Sequence, residues 1–124
     1  MRKAAFGLAL VGALAAEPCG AAVGDVGYVS GNSLYQWCSD ANAGGSLGSC
    51  LGYLAGLSDA QTDRMPYGTA AFCVPYGVTL EQLREVVWDY LRAQAAYRQF
   101  SASVMATLAL HAAYLCATAQ PPKK

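Results

Sequence analysis

The sequence predicts an all-α fold, a small domain of four to five helices with two disulfides. Three observations lead there. Apolar residues recur at helical spacing in four separate segments. Capping residues stand at the heads of several of these segments, above all Thr79 and Ser101. Four cysteines, Cys38, Cys50, Cys73 and Cys116, lie at the edges of the segments, where side-chain bridges can tie helix ends together.

The chain begins with a segment of different character. Arg2 and Lys3 are followed by an uncharged Ala/Leu/Val/Gly-rich run from Ala4 to Ala16, then by Glu17 and Pro18. Residues 1–22 read as a Sec-type signal peptide. The run is shorter than the roughly 20 apolar residues of a membrane span. Cleavage near Ala16 would leave Cys19 in the mature chain. Cleavage after Ala21 or Ala22 would remove it and leave four cysteines, the even number suited to an oxidising compartment. The later cut is the expected one.

The mature chain is then about 100 residues, the length of one domain. Residues 23–124 carry six Lys/Arg and seven Asp/Glu, a net charge near −1 without any basic run. That balance argues against nucleic acid and anionic membrane as partners, and no membrane insertion is expected once the signal is removed. Residues 23–30 are Gly-rich and expected to be loose. Residues 31–118 form the helical domain, and 119–124 a polar tail.

Within the domain, Gly31-Asn32-Ser33 offers caps for a short helix ending near Cys38, with Leu34, Trp37 and Cys38 at helical spacing. Ala41 to Gly48 reads as a loop. A second helix is expected from about Ser49 to Thr62, with Leu51, Leu54, Ala55 and Ser58 on one stripe. Gly52 and Gly56 lie one turn apart and suggest a bare strip for close helix packing, since each glycine weakens a helix by about 1 kcal/mol. Asp63 to Gly77, punctuated by Pro66, Gly68, Pro75 and Gly77, cannot be one regular element. Thr79-Leu80-Glu81-Gln82 is a capping box opening the third helix. Its ridge of Leu80, Leu83, Val87, Tyr90 and Gln94 is apolar on balance, and Glu81, Arg84, Glu85, Asp89 and Arg92 face away as a solvated surface. Ser101 caps a last helix running to about Cys116. That helix is apolar almost all round, so it should be central or lie at an interface.

The inventory of reactive groups is poor, and no catalytic residue is predicted. His111 is the single histidine. A cysteine hydrolase would need a free thiolate beside it, and cysteines in an exported chain are expected to pair instead. His111 is read as a satisfied or half-exposed helix residue. Without a CxxC pair or a phosphate-loop spacing, no metal or other cofactor is expected. Asp59 and Asp63 stand one turn apart, as polar residues at a helix end commonly do.

Geometry suggests the disulfide pairing. The first helix ends at Cys38 and the second begins near Cys50. In an antiparallel hairpin these ends are neighbours, so Cys38–Cys50 closes the short loop. Cys73 and Cys116 pair by exclusion.

The words GNSLYQWC, CLGYLAGL and FCVPYGVTLEQL, followed by an Ala-rich helix closing on a cysteine, resemble the Rap/Tai immunity proteins. The resemblance runs from Gly31 to Cys116. Prolines that members often carry between the third and fourth helices and before the last cysteine are replaced here by Ala95-Ala96-Tyr97 and Tyr114-Leu115. The resemblance implies a small helical periplasmic antidote, not an enzyme. It would bind a cognate peptidoglycan amidase delivered by type VI secretion and block its site. Some members form a homodimer. Cys38, Cys50, Cys73 and Cys116 match the family's disulfide cysteines. Gly52, Tyr53 and Gly56 match its second-helix motif, and Val74, Pro75 and Gly77 the turn before the third helix. The alternative is a small periplasmic helical binding or chaperone-like protein without an amidase partner.

Inhibition by occlusion needs a rigid frame and a projecting loop. The loop expected to meet the effector is Asp63 to Phe72, through Asp63, Arg64, Met65 and Tyr67, because Arg and Tyr are frequent binding anchors.

Overall fold

A computed structural model describes residues 27–39 and 44–117. The expected signal segment, Cys19, residues 40–43 and the polar tail lie outside them. The described chain is all-α: α1 (Gly31–Ser39), α2 (Gly44–Thr62), α3 (Leu80–Ala93) and α4 (Ala102–Ala113). Single turns of 3-10 helix at Met65–Tyr67 and Ala95–Tyr97 complete it. The second of these makes the bend between α3 and α4.

Helices α1 and α3 each pack on all three of the others, around a core in which Leu34, Leu54, Leu91, Leu110 and Phe72 are almost fully buried. Both expected disulfides are present: Cys38–Cys50 joins the end of α1 to α2, and Cys73–Cys116 joins the connection before α3 to the segment after α4.

The heads of α3 and α4 are built as their sequences predict. Thr79 Oγ1 accepts from the Gln82 amide while the Gln82 side chain accepts from the Thr79 amide, and Ser101 accepts from the Val104 amide. Thr79→Ala is expected to cost about 1 kcal/mol, read as a lower urea midpoint at unchanged slope.

The head of α1 differs from expectation. The cap is Ser30, whose Oγ accepts from the Ser33 amide. The amides of Gly31 and Asn32 donate to the carbonyls of Phe100 (2.8 Å) and Arg98 (2.7 Å). A Cβ on Gly31 would sit 2.8 Å from the Arg98 carbonyl oxygen, so this approach requires glycine. Of the segment expected to be loose, residues 27–30 are pinned: Ser30 forms an isolated antiparallel bridge with Ser101, and the Ala102 amide donates to Val29 (2.8 Å).

Three further expectations are corrected. Helix α2 begins at Gly44, so the helix takes in the second half of the expected Ala41–Gly48 loop. Helix α4 stops at Ala113, and Cys116 is reached by non-helical chain. Arg84 is not simply solvated: its Nε donates to the Cys38 carbonyl (2.7 Å), satisfying one of the free carbonyls at the end of α1.

Gly52 and Gly56 do not pack against a helix of this domain. Both are exposed, and a Cβ on either meets nothing within 4 Å. The cause is rotational. Cys50, Leu54 and Gln61 turn inward, and Gly52 and Gly56 stand two residues from Leu54, about 200° round the helix. Alanine at either position is therefore expected to stabilise the domain by about 0.5–1 kcal/mol. A lower melting temperature in either variant would show that this face is covered.

Between α1, α3 and the second 3-10 turn runs an aromatic ladder. The Arg98 guanidinium lies 4.0 Å over Tyr35, Tyr35 stacks on Trp88 at 6.2 Å, and Arg92 lies 4.9 Å over Trp88. It fixes the middle of α1 against the middle of α3.

Candidate functional site

The connection from α2 to α3 carries the expected binding residues. Asp63 and Arg64 continue the last turn of α2, the Asp63 amide donating to Asp59 and the Arg64 amide to Gln61. Pro66, whose fixed φ suits a helix start, then opens the 3-10 turn Met65–Tyr67. Gly68 ends it at φ +66°, with its amide on the Met65 carbonyl. The amides of Tyr67 and Thr69 both donate to the Arg64 carbonyl (3.1 and 3.3 Å). The sequence PYG thus folds residues 64–69 into a small knuckle around one carbonyl oxygen.

Asp63, Arg64, Met65 and Tyr67 are all exposed on this knuckle, Tyr67 by 79% and Met65 by 42%. Their side chains are held up by local backbone hydrogen bonds while the apolar Phe72, five residues after Tyr67, is driven into the core and anchors the far end. A second turn follows, where the Val78 amide donates to the Pro75 carbonyl (3.3 Å) and Gly77 takes φ +91°. Tyr76 stands fully exposed at its tip. Sequence reasoning passed over Tyr76. The Pro-Tyr-Gly word, which occurs at both turns, was the signal that each presents a tyrosine.

Two apolar depressions lie elsewhere. One, of about 440 Å³, is lined by Tyr90, Tyr97, Phe100, Val104 and Leu108, where α4 turns its second apolar face outward. Helix α4 is therefore half-exposed: Ala102, Met105, Ala106, Ala109 and Leu110 face the core, while Val104 and Leu108 are about half open to solvent. The other is a shallow strip on α2 along Gly52, Tyr53, Gly56 and Leu57. Burial pushes the Tyr53 phenol above its ordinary pKa, opposed by its hydrogen bond to Ser103.

The reactive inventory is quiet. Cys38, Cys50, Cys73 and Cys116 are all in disulfides, and so none offers a thiolate. His111 is engaged in a hydrogen bond to the Ala71 carbonyl. Among the described residues no group of three or more His, Cys, Asp or Glu is placed to hold a metal ion, and no helix is long and apolar enough to cross a membrane. What the molecule offers is shape: a disulfide-braced frame with exposed aromatic and cationic side chains on tight turns.

No curated protein and no solved structure matches the chain. A family model described as Rap1a immunity proteins matches residues 30–116. The match takes in all four helices, both disulfides and both turns of the α2–α3 connection, and it agrees with the resemblance read from the cysteine-centred words. The chain belongs to the Rap1a immunity protein family.

Proposed function

We propose that this chain is an exported immunity protein that acts in the periplasm. There it binds a peptidoglycan amidase delivered by type VI secretion and occludes its catalytic cleft. Family membership supports the immunity role and the class of partner. The observation that carries the occlusion mechanism is the knuckle of residues 63–69. Arg64 and Tyr67 project from a turn whose own hydrogen bonds fix it before any partner arrives. A preformed loop loses little freedom on docking, so more of the contact energy remains as affinity. The partner supplies the chemistry, and this chain needs only to fill the cleft and exclude substrate and water from it.

The leader supports the compartment, since an amidase acting on the wall must be met outside the cytosol. The test is protection in cells. The cognate peptidoglycan amidase is directed to the periplasm, and lysis is followed. Co-expression of the full chain should prevent lysis, while residues 23–124 expressed without the leader should not. Lysis unchanged by the full chain would refute the immunity role.

A further inference from the structure

Ala71 is held on both sides by side chains that the occlusion surface does not include. Its amide donates to Gln61 Oε1 (2.6 Å) at the end of α2, and its carbonyl lies 2.6 Å from His111 Nδ1 on α4. A carbonyl oxygen can only accept, so Nδ1 carries the proton. The imidazolium and one neutral tautomer both supply that donor. Gln61 is buried, 8% exposed, and its oxygen closes the base of a loop whose ends are separated by 10 positions. Two residues on, the Cys73 amide donates to the Tyr114 carbonyl (2.9 Å), and Cys73 is bridged to Cys116.

We propose that Gln61 and His111 are positioning residues for effector recognition: together they clamp Ala71 and so hold the Asp63–Thr69 knuckle in its docking form. This rests on the reading of residues 63–67 as the effector-facing surface. Local turn bonds shape the knuckle but do not orient it on the frame. The clamp does, because it ties the returning strand of the loop to the helix it left and to the last helix of the domain. Gln61 acts from within the domain and does not touch the partner. The buried Phe72 and the Cys73–Cys116 bridge fix the chain after Ala71, and the clamp fixes Ala71 itself, on the knuckle side of both.

Gln61→Leu and His111→Leu each remove one side of the clamp. His111→Asn keeps an amide N–H close to the position of Nδ1. Two readouts are taken on the mature, oxidised protein: backbone amide exchange, and the dissociation constant for the cognate amidase. Each leucine variant should speed exchange at Ala71 and across residues 63–70 by about tenfold, the upper end of what one hydrogen bond contributes. Val87 and Leu91 in α3 should keep wild-type exchange, which separates a local opening from general destabilisation. Amidase affinity should fall by about the same factor, mainly through faster dissociation, and His111→Asn should restore both. Unchanged exchange at 63–71 in both leucine variants overturns the clamp. So does faster exchange with unchanged affinity, or faster exchange at Val87 and Leu91 to the same extent. If the wild-type protein binds no amidase, the immunity reading fails instead, and the exchange data alone decide whether the clamp orders the loop.

Discussion

Alanine at both Cys73 and Cys116 is expected to remove about 4 kcal/mol of stability, the figure the chain-entropy model gives for a bridge of sequence separation 43. Cys38–Cys50 spans only 12 residues, for which the same model gives about 3 kcal/mol. Small domains have about 5–15 kcal/mol in total, so the first loss removes a large share of what holds this one together. Geometry adds to the effect. Cys73 and Cys116 join two non-helical segments, and the segment after α4 is otherwise held through Tyr114, by its backbone bonds to Cys73 and Leu110 and its packing on the core. Urea denaturation of the Cys73→Ala/Cys116→Ala protein against the oxidised wild type measures the difference. A loss under about 1 kcal/mol would mean that the unfolded chain was already constrained in this region.

Alanine at Arg64 and Tyr67 is expected to have the opposite profile: little change in melting temperature and a large loss of binding. Neither side chain belongs to the core, and the knuckle's hydrogen bonds are made by backbone atoms that survive both substitutions. Anchors of this kind contribute about 2 kcal/mol or more on truncation, so either variant should weaken the amidase complex by about thirtyfold. Asp63 and Met65 flank them and should matter less. Calorimetric titration of the amidase with the double variant checks this. Wild-type affinity would remove the knuckle from the interface.

Much of the frame was legible in the sequence because its determinants are local. The Thr79–Gln82 capping box, the Ser101 cap and the cysteines at helix ends each announce themselves within a few residues. So do Pro66 and Gly68, which start and stop the knuckle. What escaped has a different physical origin. Ser30 caps α1 through its own Oγ, and the next two amides, those of Gly31 and Asn32, are satisfied by the carbonyls of Phe100 and Arg98 from a turn far along the chain. Arg84 looked like one more charge on a polar face until α3 was set beside the end of α1. The glycines of α2 have the spacing of a packing strip, but spacing does not tell which way the helix is rotated, and the pull of Cys50 and Leu54 settled that. The Gln61–Ala71–His111 clamp reaches 10 positions back and 40 positions on from one backbone unit, and no periodicity encodes such a contact.

On the proposed function, a preformed, disulfide-braced knuckle shuts an amidase by filling its cleft. The decisive measurement is titration of the cognate amidase with the mature protein while hydrolysis of a cross-linked peptidoglycan peptide is followed. Activity should fall linearly to near zero at one protein per amidase site, and the Arg64→Ala/Tyr67→Ala protein should leave it largely intact at the same ratio. Undiminished hydrolysis with excess wild-type protein, or equal inhibition by the double variant, would contradict the account.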